Sequence, residues 1–209
     1  MGDCLGVKCD DPDKPGDPAS VRDKAMLGTL YGAGLRRQEL VALALADWDP
    51  DNHELRVLGK GNKERDSYVP DQVADLIAAW IAVRGRTPGA LFPPLSKAGR
   101  MRTTPDGRPA HMTGQALRKM LLKRIRQAAQ RQPTINGKTY RPYDFRRTFI
   151  GDLLDQGVDL ATAQALVGHS SPVTTARYGR RPKATRRAAV NRLRLPERQP
   201  PARSDEVRS

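Results

Sequence analysis

Cysteine is nearly absent from this 209-residue chain: there are two, Cys4 and Cys9, both close to the N-terminus. They have no second pair to complete a zinc site, and their spacing is not Cys-x-x-Cys, so they read as free thiols in a reducing compartment. No apolar run approaches the length needed to span a bilayer, and Met1 is not followed by a signal-peptide pattern. This predicts a cytoplasmic, nucleoid-associated location. No carboxylate cage or His/Cys cluster suggests a bound metal, and no cofactor is expected. Gly59-Lys-Gly61 superficially resembles a phosphate loop. It lacks Gly-x4-Gly-Lys-[Ser/Thr] and no helix follows directly, which excludes a P-loop.

Basic residues, by contrast, are plentiful. Lys and Arg number 37 against 23 acids, a net charge of +14. A chain this basic usually meets a polyanion, first of all nucleic acid. The excess is uneven: Lys97 to Arg147 holds fourteen Lys or Arg against two acids, Asp106 and Asp144. The first 23 residues are acidic instead. The competing reading is a solvated basic face; the clustering favours a polyanion partner over it.

Periodicity predicts mainly α structure with a small antiparallel β-sheet (α+β). Residues 1–19 read as a flexible leader, 20–195 as one folded unit and 196–209 as a disordered tail. Ser20 is the expected cap of a first helix carrying Met26, Leu27, Leu30 and Tyr31. A second helix from near Leu35 buries Leu40, Leu43 and Leu45, and residues 47–52 form a turn cluster. Alternation over 53–58 and 65–69 predicts a hairpin with a basic tip. Helices follow over 71–84, from Thr113 through Ala128, from about Asp144 to Gly157 and from Leu160 to Gly168, with loops over 85–112 and 131–142. A basic helix is expected from Ala184 to Leu195. His53 and His111 read as ordinary loop or strand histidines.

Residues 165–178 end a helical pattern at Gly168, place His169 in a turn and bring Tyr178 nine residues later. Cleaving a phosphodiester with a protein nucleophile requires charge neutralisation on the non-bridging oxygens, the nucleophile itself and a proton for the leaving alkoxide. Arginine suits the first task, because its planar fork grips two oxygens and stays charged. Arg36 and Arg146, from distant segments, can do this work. Tyr178 would be the nucleophile; a phenol with a pKa of about 10 needs cationic surroundings. Arg177, Arg180 and Arg181 adjoin it. Lys60, at the hairpin tip, can protonate a leaving 5′ oxygen.

Taken together, Gly34-Leu-Arg36-x-x-Glu39-Leu, Gly59-Lys-Gly-Asn-Lys-Glu-Arg65, Arg146-Arg-Thr-Phe149, Leu166-Val-Gly-His169 and Tyr178 resemble the tyrosine recombinases, or phage-type integrases. The hairpin motif is similar to the Xer-like branch, and the resemblance spans about Asp23 to Leu195. It implies that fold family's catalytic domain over 20–195. It also implies site-specific DNA recombination through a 3′-phosphotyrosyl intermediate, without metal or ATP. In that scheme Arg36 and Arg146 clamp the phosphate, Lys60 is the general acid, His169 hydrogen-bonds the phosphate and Glu39 orients Arg36. Lys63, Arg118, Lys119, Lys123, Lys138, Arg141 and Arg147 are candidate contacts to double-stranded DNA. The expected assembly is a homo-oligomer, a tetramer on DNA, joined through the C-terminal segment with Ala188, Val190 and Leu193.

Two departures qualify the resemblance. The usual His-x-x-Arg reads Tyr143-Asp-Phe-Arg146. Tyr143 can donate a hydrogen bond to phosphate but is a poor base near neutral pH. Family members usually carry an N-terminal helical domain that closes around DNA, whereas about 20 residues precede the expected catalytic unit here. Weak, strongly salt-dependent DNA binding by this chain alone follows, with a separate DNA-binding domain or accessory protein as partner. Competing readings are a type IB topoisomerase-like enzyme and a catalytically reduced DNA-binding remnant.

Overall fold

The computed structural model describes residues 17–168, apart from Lys60 and Asn62. Its elements run α1 (Pro18–Gly32), α2 (Arg37–Ala42), β1 (Trp48–Asp49), β2 (Glu54–Leu58), β3 (Glu64–Tyr68), α3 (Asp71–Arg84), α4 (Gly114–Arg131), α5 (Pro142–Asp155) and α6 (Leu160–Val167). Short 3-10 turns occupy Leu45–Asp47 and Pro133–Ile135. The expected class, mainly helical with one small antiparallel sheet, is what forms.

The central helix is α1. Its cap is Asp17, not Ser20: the Asp17 carboxylate accepts the N–H groups of Ala19 (3.3 Å) and Ser20 (3.2 Å). Pro18 at the first helical position has no N–H to satisfy, which strengthens this start. The ordered helix therefore reaches back over Pro18 and Ala19. Ala25, Met26 and Leu30 are fully buried. Helix α3 lies close against α1 because Gly28 and Gly32 face it; an added Cβ on Gly32 would stand 3.0 Å from Val73 and Pro70.

Helix α2 is shorter than its apolar pattern suggests. Leu43 leaves helical geometry (φ −56°, ψ 129°) because its carbonyl accepts Leu91 N–H at 2.8 Å, while Leu45 N–H reaches Gly89 O at 2.9 Å. The turn cluster at 47–52 contains a strand, β1, paired antiparallel with β2, which pairs with β3 in turn. Leu55, Val57 and Ser67 face the core, and the Ser67 hydroxyl donates to Ala33 O at 3.1 Å.

The long segment 85–112 is anchored rather than loose. Buried Arg84 donates to the carbonyls of Gly85, Thr87 and Ala90, and Trp80 Nε1 to Leu91 O (2.8 Å). Helix α4, capped by Thr113 as expected, is tied to α1 through buried Asp23. That carboxylate accepts from Arg22 (2.6 Å) and from Arg124 Nε (2.8 Å). Arg124 is thereby largely withdrawn from solvent, unlike its neighbour Lys123. His53 meets Asp71 (3.2 Å) and His111 meets Val41 O (3.0 Å), ordinary surface and loop contacts.

The apolar core has two parts. The larger gathers side chains of α1–α4 and the sheet; the smaller holds Ile150, Leu154, Ala163 and Val167 of α5 and α6, with Phe149, Leu153 and Leu160 packed against them.

Candidate active site

Two glycine turns frame the site. Gly34, just after α1, has φ +56°, and the Phe149 ring occupies the space a Cβ would need, 2.3 Å away. This turn delivers Arg36 in extended conformation at the start of α2. Gly168 closes α6 in left-handed geometry (φ 61°, ψ 50°), a common helix stop.

Glu39 is the hub. Its carboxylate accepts Arg36 N–H at 2.8 Å and Arg36 NH1 at 2.6 Å. Arg65, from β3, meets it end-on, NH1 to Oε1 at 3.1 Å and NH2 to Oε2 at 2.8 Å. Arg146, from α5, brings NH1 to 3.9 Å of Oε2. One buried anion thus faces three guanidinium groups. Burial alone pushes the Glu39 carboxyl up. The hydrogen bond from Arg65, those from the Arg36 backbone and side chain, and the Arg65 charge outweigh it and hold Glu39 below its ordinary 4.5.

The same three arginines hold the end of α6. Arg65 Nε donates to Leu166 O at 3.2 Å, Arg146 NH2 donates to Val167 O, and Arg36 NH2 to Gly168 O at 3.1 Å. Three successive carbonyls at the electronegative end of a helix thereby receive three cations from three segments. Arg146 NH1 also donates to Gly34 O at 2.8 Å, closing the circuit to the first glycine turn.

Helix α5 presents Arg146 for clear local reasons. Pro142 occupies its first position, and the Asp144 carboxylate accepts Arg141 N–H at 2.7 Å. The Tyr31 hydroxyl donates to Asp152 at 2.6 Å and fixes α5 to α1.

The structure therefore brings Arg36, Glu39 and Arg146 together, from α2 and α5, beside the last residue before His169. Exposure separates the cations: the side chains of Arg36, Arg65 and Arg146 are 39%, 12% and 2% exposed. Chemically this is an anion grip already occupied by main-chain oxygens. An anion placed here would have to displace the carbonyls of Val167 and Gly168 from Arg146 and Arg36.

Tyr143, the second residue of α5, is 57% exposed. Lys63, Arg118, Lys119, Lys123, Lys138, Arg141 and Arg147 are all exposed. Lys60, His169 and Tyr178 lie outside the described residues, as do Cys4, Cys9, the expected helix over 184–195 and the tail. Among the described residues no group of three His, Cys, Asp or Glu could hold a metal, and no helix is long and apolar enough to cross a membrane. Sequence reasoning gave Arg65 no role. The signal was a cation in phase with core-facing Ser67 on a strand that alternates.

Known proteins supply an independent comparison. The profile of the Phage integrase family matches residues 8–184. Tyrosine recombinase XerC of Haemophilus ducreyi is 36% identical over 183 residues, covering 85% of this chain and 52% of that protein. XerC of Vibrio cholerae is 32% identical over 166 residues, covering 78% and 48%. The chain spans about half the length of the curated relatives it matches. Among solved structures, XerA recombinase superposes with a TM-score of 0.64 at 20% identity, over 87% of this chain and 66% of that one. XerH site-specific recombinase, bound to its difH substrate in a pre-cleavage complex, gives 0.62 at 20% identity over 87% and 49%. These two likenesses bear on the fold.

Proposed function

This chain belongs to the phage integrase family, and on that premise we propose that it cleaves and rejoins DNA strands at specific sites. Tyr178, its phenolic proton passing to water, attacks the scissile phosphorus as the bond to the 5′ oxygen breaks, and Lys60 protonates that oxygen. The strand is held as a 3′-phosphotyrosyl linkage until the 5′ hydroxyl of another strand attacks it. Bond energy is kept in the linkage, so the cycle needs no ATP. Arg36 and Arg146 neutralise the non-bridging oxygens, His169 adds a hydrogen bond, and Glu39 holds Arg36 in place. Tyr143 donates to the phosphate where relatives use histidine.

One observation carries this reading: the guanidinium groups of Arg36 and Arg146, 110 residues apart in the chain, converge on the carbonyls that lead into His169. Basic side chains of α4 and of 138–147 contact the DNA backbone, and binding falls steeply with salt. The working assembly is a tetramer on nucleoid DNA, joined through the C-terminal segment. A further DNA-binding domain or accessory protein supplies the remaining grip.

The test is covalent trapping on a library of nicked duplexes with a randomised central segment. A denaturant-resistant protein–DNA species that Tyr178→Phe abolishes is the expected result, and sequencing the trapped DNA identifies the site. A species that survives Tyr178→Phe, or none at all at low salt, overturns the proposal.

A further inference from the structure

Arg65 differs from the other two arginines in how it spends its donors. Both terminal nitrogens meet Glu39 end-on, and Nε donates elsewhere, to Leu166 O. All three of its nitrogens are engaged inside the protein and the side chain is 12% exposed, which suits it to bracing segments rather than to gripping a ligand. Its stem is engaged as well. A Cβ on Gly168 would lie 2.9 Å from Arg65 Cδ, so the last residue of the α6 cap sits on the aliphatic part of this side chain. On the opposite side, a Cβ on Gly59 would lie 3.6 Å from Arg65 NH1 and 4.0 Å from Glu39 Oε1. Gly59 begins the hairpin tip, which its N–H closes onto Lys63 O at 2.8 Å. One side chain therefore lies beside the base of the tip, grips the carboxylate that holds Arg36, and bonds the end of α6.

We propose that Arg65 is a positioning residue that keeps the hairpin tip, the Arg36–Glu39 pair and the α6 terminus in one register for strand cleavage. The role rests on the strand-transfer reading above. It follows from the planarity of the group. A bidentate fork with a third donor at a fixed angle defines the relative placement of three segments, which a point charge on a flexible stem does not. A shift of about 1 Å in such a constellation is enough to cost about a hundredfold in rate.

The experiment compares the full chain with Arg65→Lys, with Arg56→Ala on the exposed face of β2 as control. Without DNA, hydrogen exchange at Gly59 and Lys63 and at Gly168 accelerates together in Arg65→Lys, while amides of α3 keep their protection. With the trapped duplex at saturation, the single-turnover cleavage rate drops about a hundredfold and DNA affinity stays within about threefold. The pH profile gives a readout that simple destabilisation does not move. Glu39 faces Arg36 from its own segment, Arg65 from β3 and Arg146 from α5. Weakening the Arg65 contact raises the pH at which Glu39 takes up a proton, back toward its ordinary 4.5, so the variant's rate relative to the wild type falls as the pH is lowered toward that value.

Wild-type cleavage by Arg65→Lys overturns the proposal, as does a change in exchange at only one of the two regions. If the unaltered chain does not cleave, the strand-transfer reading fails, while the exchange result still judges the register by itself. Should Arg65→Lys not fold, Glu39→Gln tests the same lock from its other end and must give the same joint loss of protection; unchanged exchange there overturns it.

Discussion

Replacing Gly34 by alanine probes the turn on which the site hangs. The residue sits at φ +56°, where a side chain costs about 1–2 kcal/mol. The added methyl carbon would stand 2.3 Å from Phe149 Cδ1 and 2.8 Å from Cε1, both inside contact distance. The ring belongs to the smaller apolar cluster and cannot withdraw without disturbing it, and overpacking of this kind costs about 1–3 kcal/mol. The two contributions together give about 3 kcal/mol, a fall of about 6–12 °C in melting temperature for a chain of this length. Gly137→Ala is the control: φ is +73° and nothing lies within 4 Å, so it registers the backbone penalty alone. Gly34→Ala combined with Phe149→Ala removes the clash, and the double-mutant cycle isolates that contact. Thermal unfolding of the wild type and the four variants provides the data. Equal losses in Gly34→Ala and Gly137→Ala, or additivity of Gly34→Ala with Phe149→Ala, would refute the packing argument.

Tyr143→His is expected to keep or raise cleavage of the trapped duplex; a large loss would give the tyrosine a role of its own. Asp23→Ala leaves Arg22 buried without its carboxylate and unhooks Arg124 of α4, at a cost of about 3–5 kcal/mol in urea unfolding. A loss under about 1 kcal/mol would mean that the pair is solvated. The folded-state pKa of Glu39 is depressed, so the stability it contributes is present above its ordinary 4.5 and disappears as pH falls through the lower folded value. Melting temperatures of the wild type and Glu39→Gln should therefore converge below about pH 4. A difference that grows on acidification contradicts that sign.

Legibility in the sequence followed how local each cause is. Thr113 and Gly168 mark helix ends through their own chemistry, and both do so in the structure. Apolar spacing over 71–84 is long enough to give α3 its observed bounds. The start of α1 was misplaced by three residues because Asp17 and Ser20 both satisfy cap rules, and only Pro18 favours the former. The premature end of α2 and the existence of β1 depend on partners far along the chain, Gly89–Leu91 and Leu55, which no local pattern announces. In the site, Arg36, Glu39 and Arg146 stood out through family motifs. Arg65 ends the hairpin motif, but its meaning comes from Glu39 and Leu166, 26 and 101 residues away.

The division of the apolar interior in two has a thermal consequence. Arg36, Glu39 and Arg65 stand on the larger cluster, whereas Arg146 and the α6 carbonyls stand on the smaller. What crosses the seam includes polar links, Tyr31 to Asp152 and the arginines to residues 34 and 166–168. A segment fastened in this way opens at lower free energy than the body it leans on. On warming, the amides of α5 and α6 are expected to lose their exchange protection before those of α1 and α3.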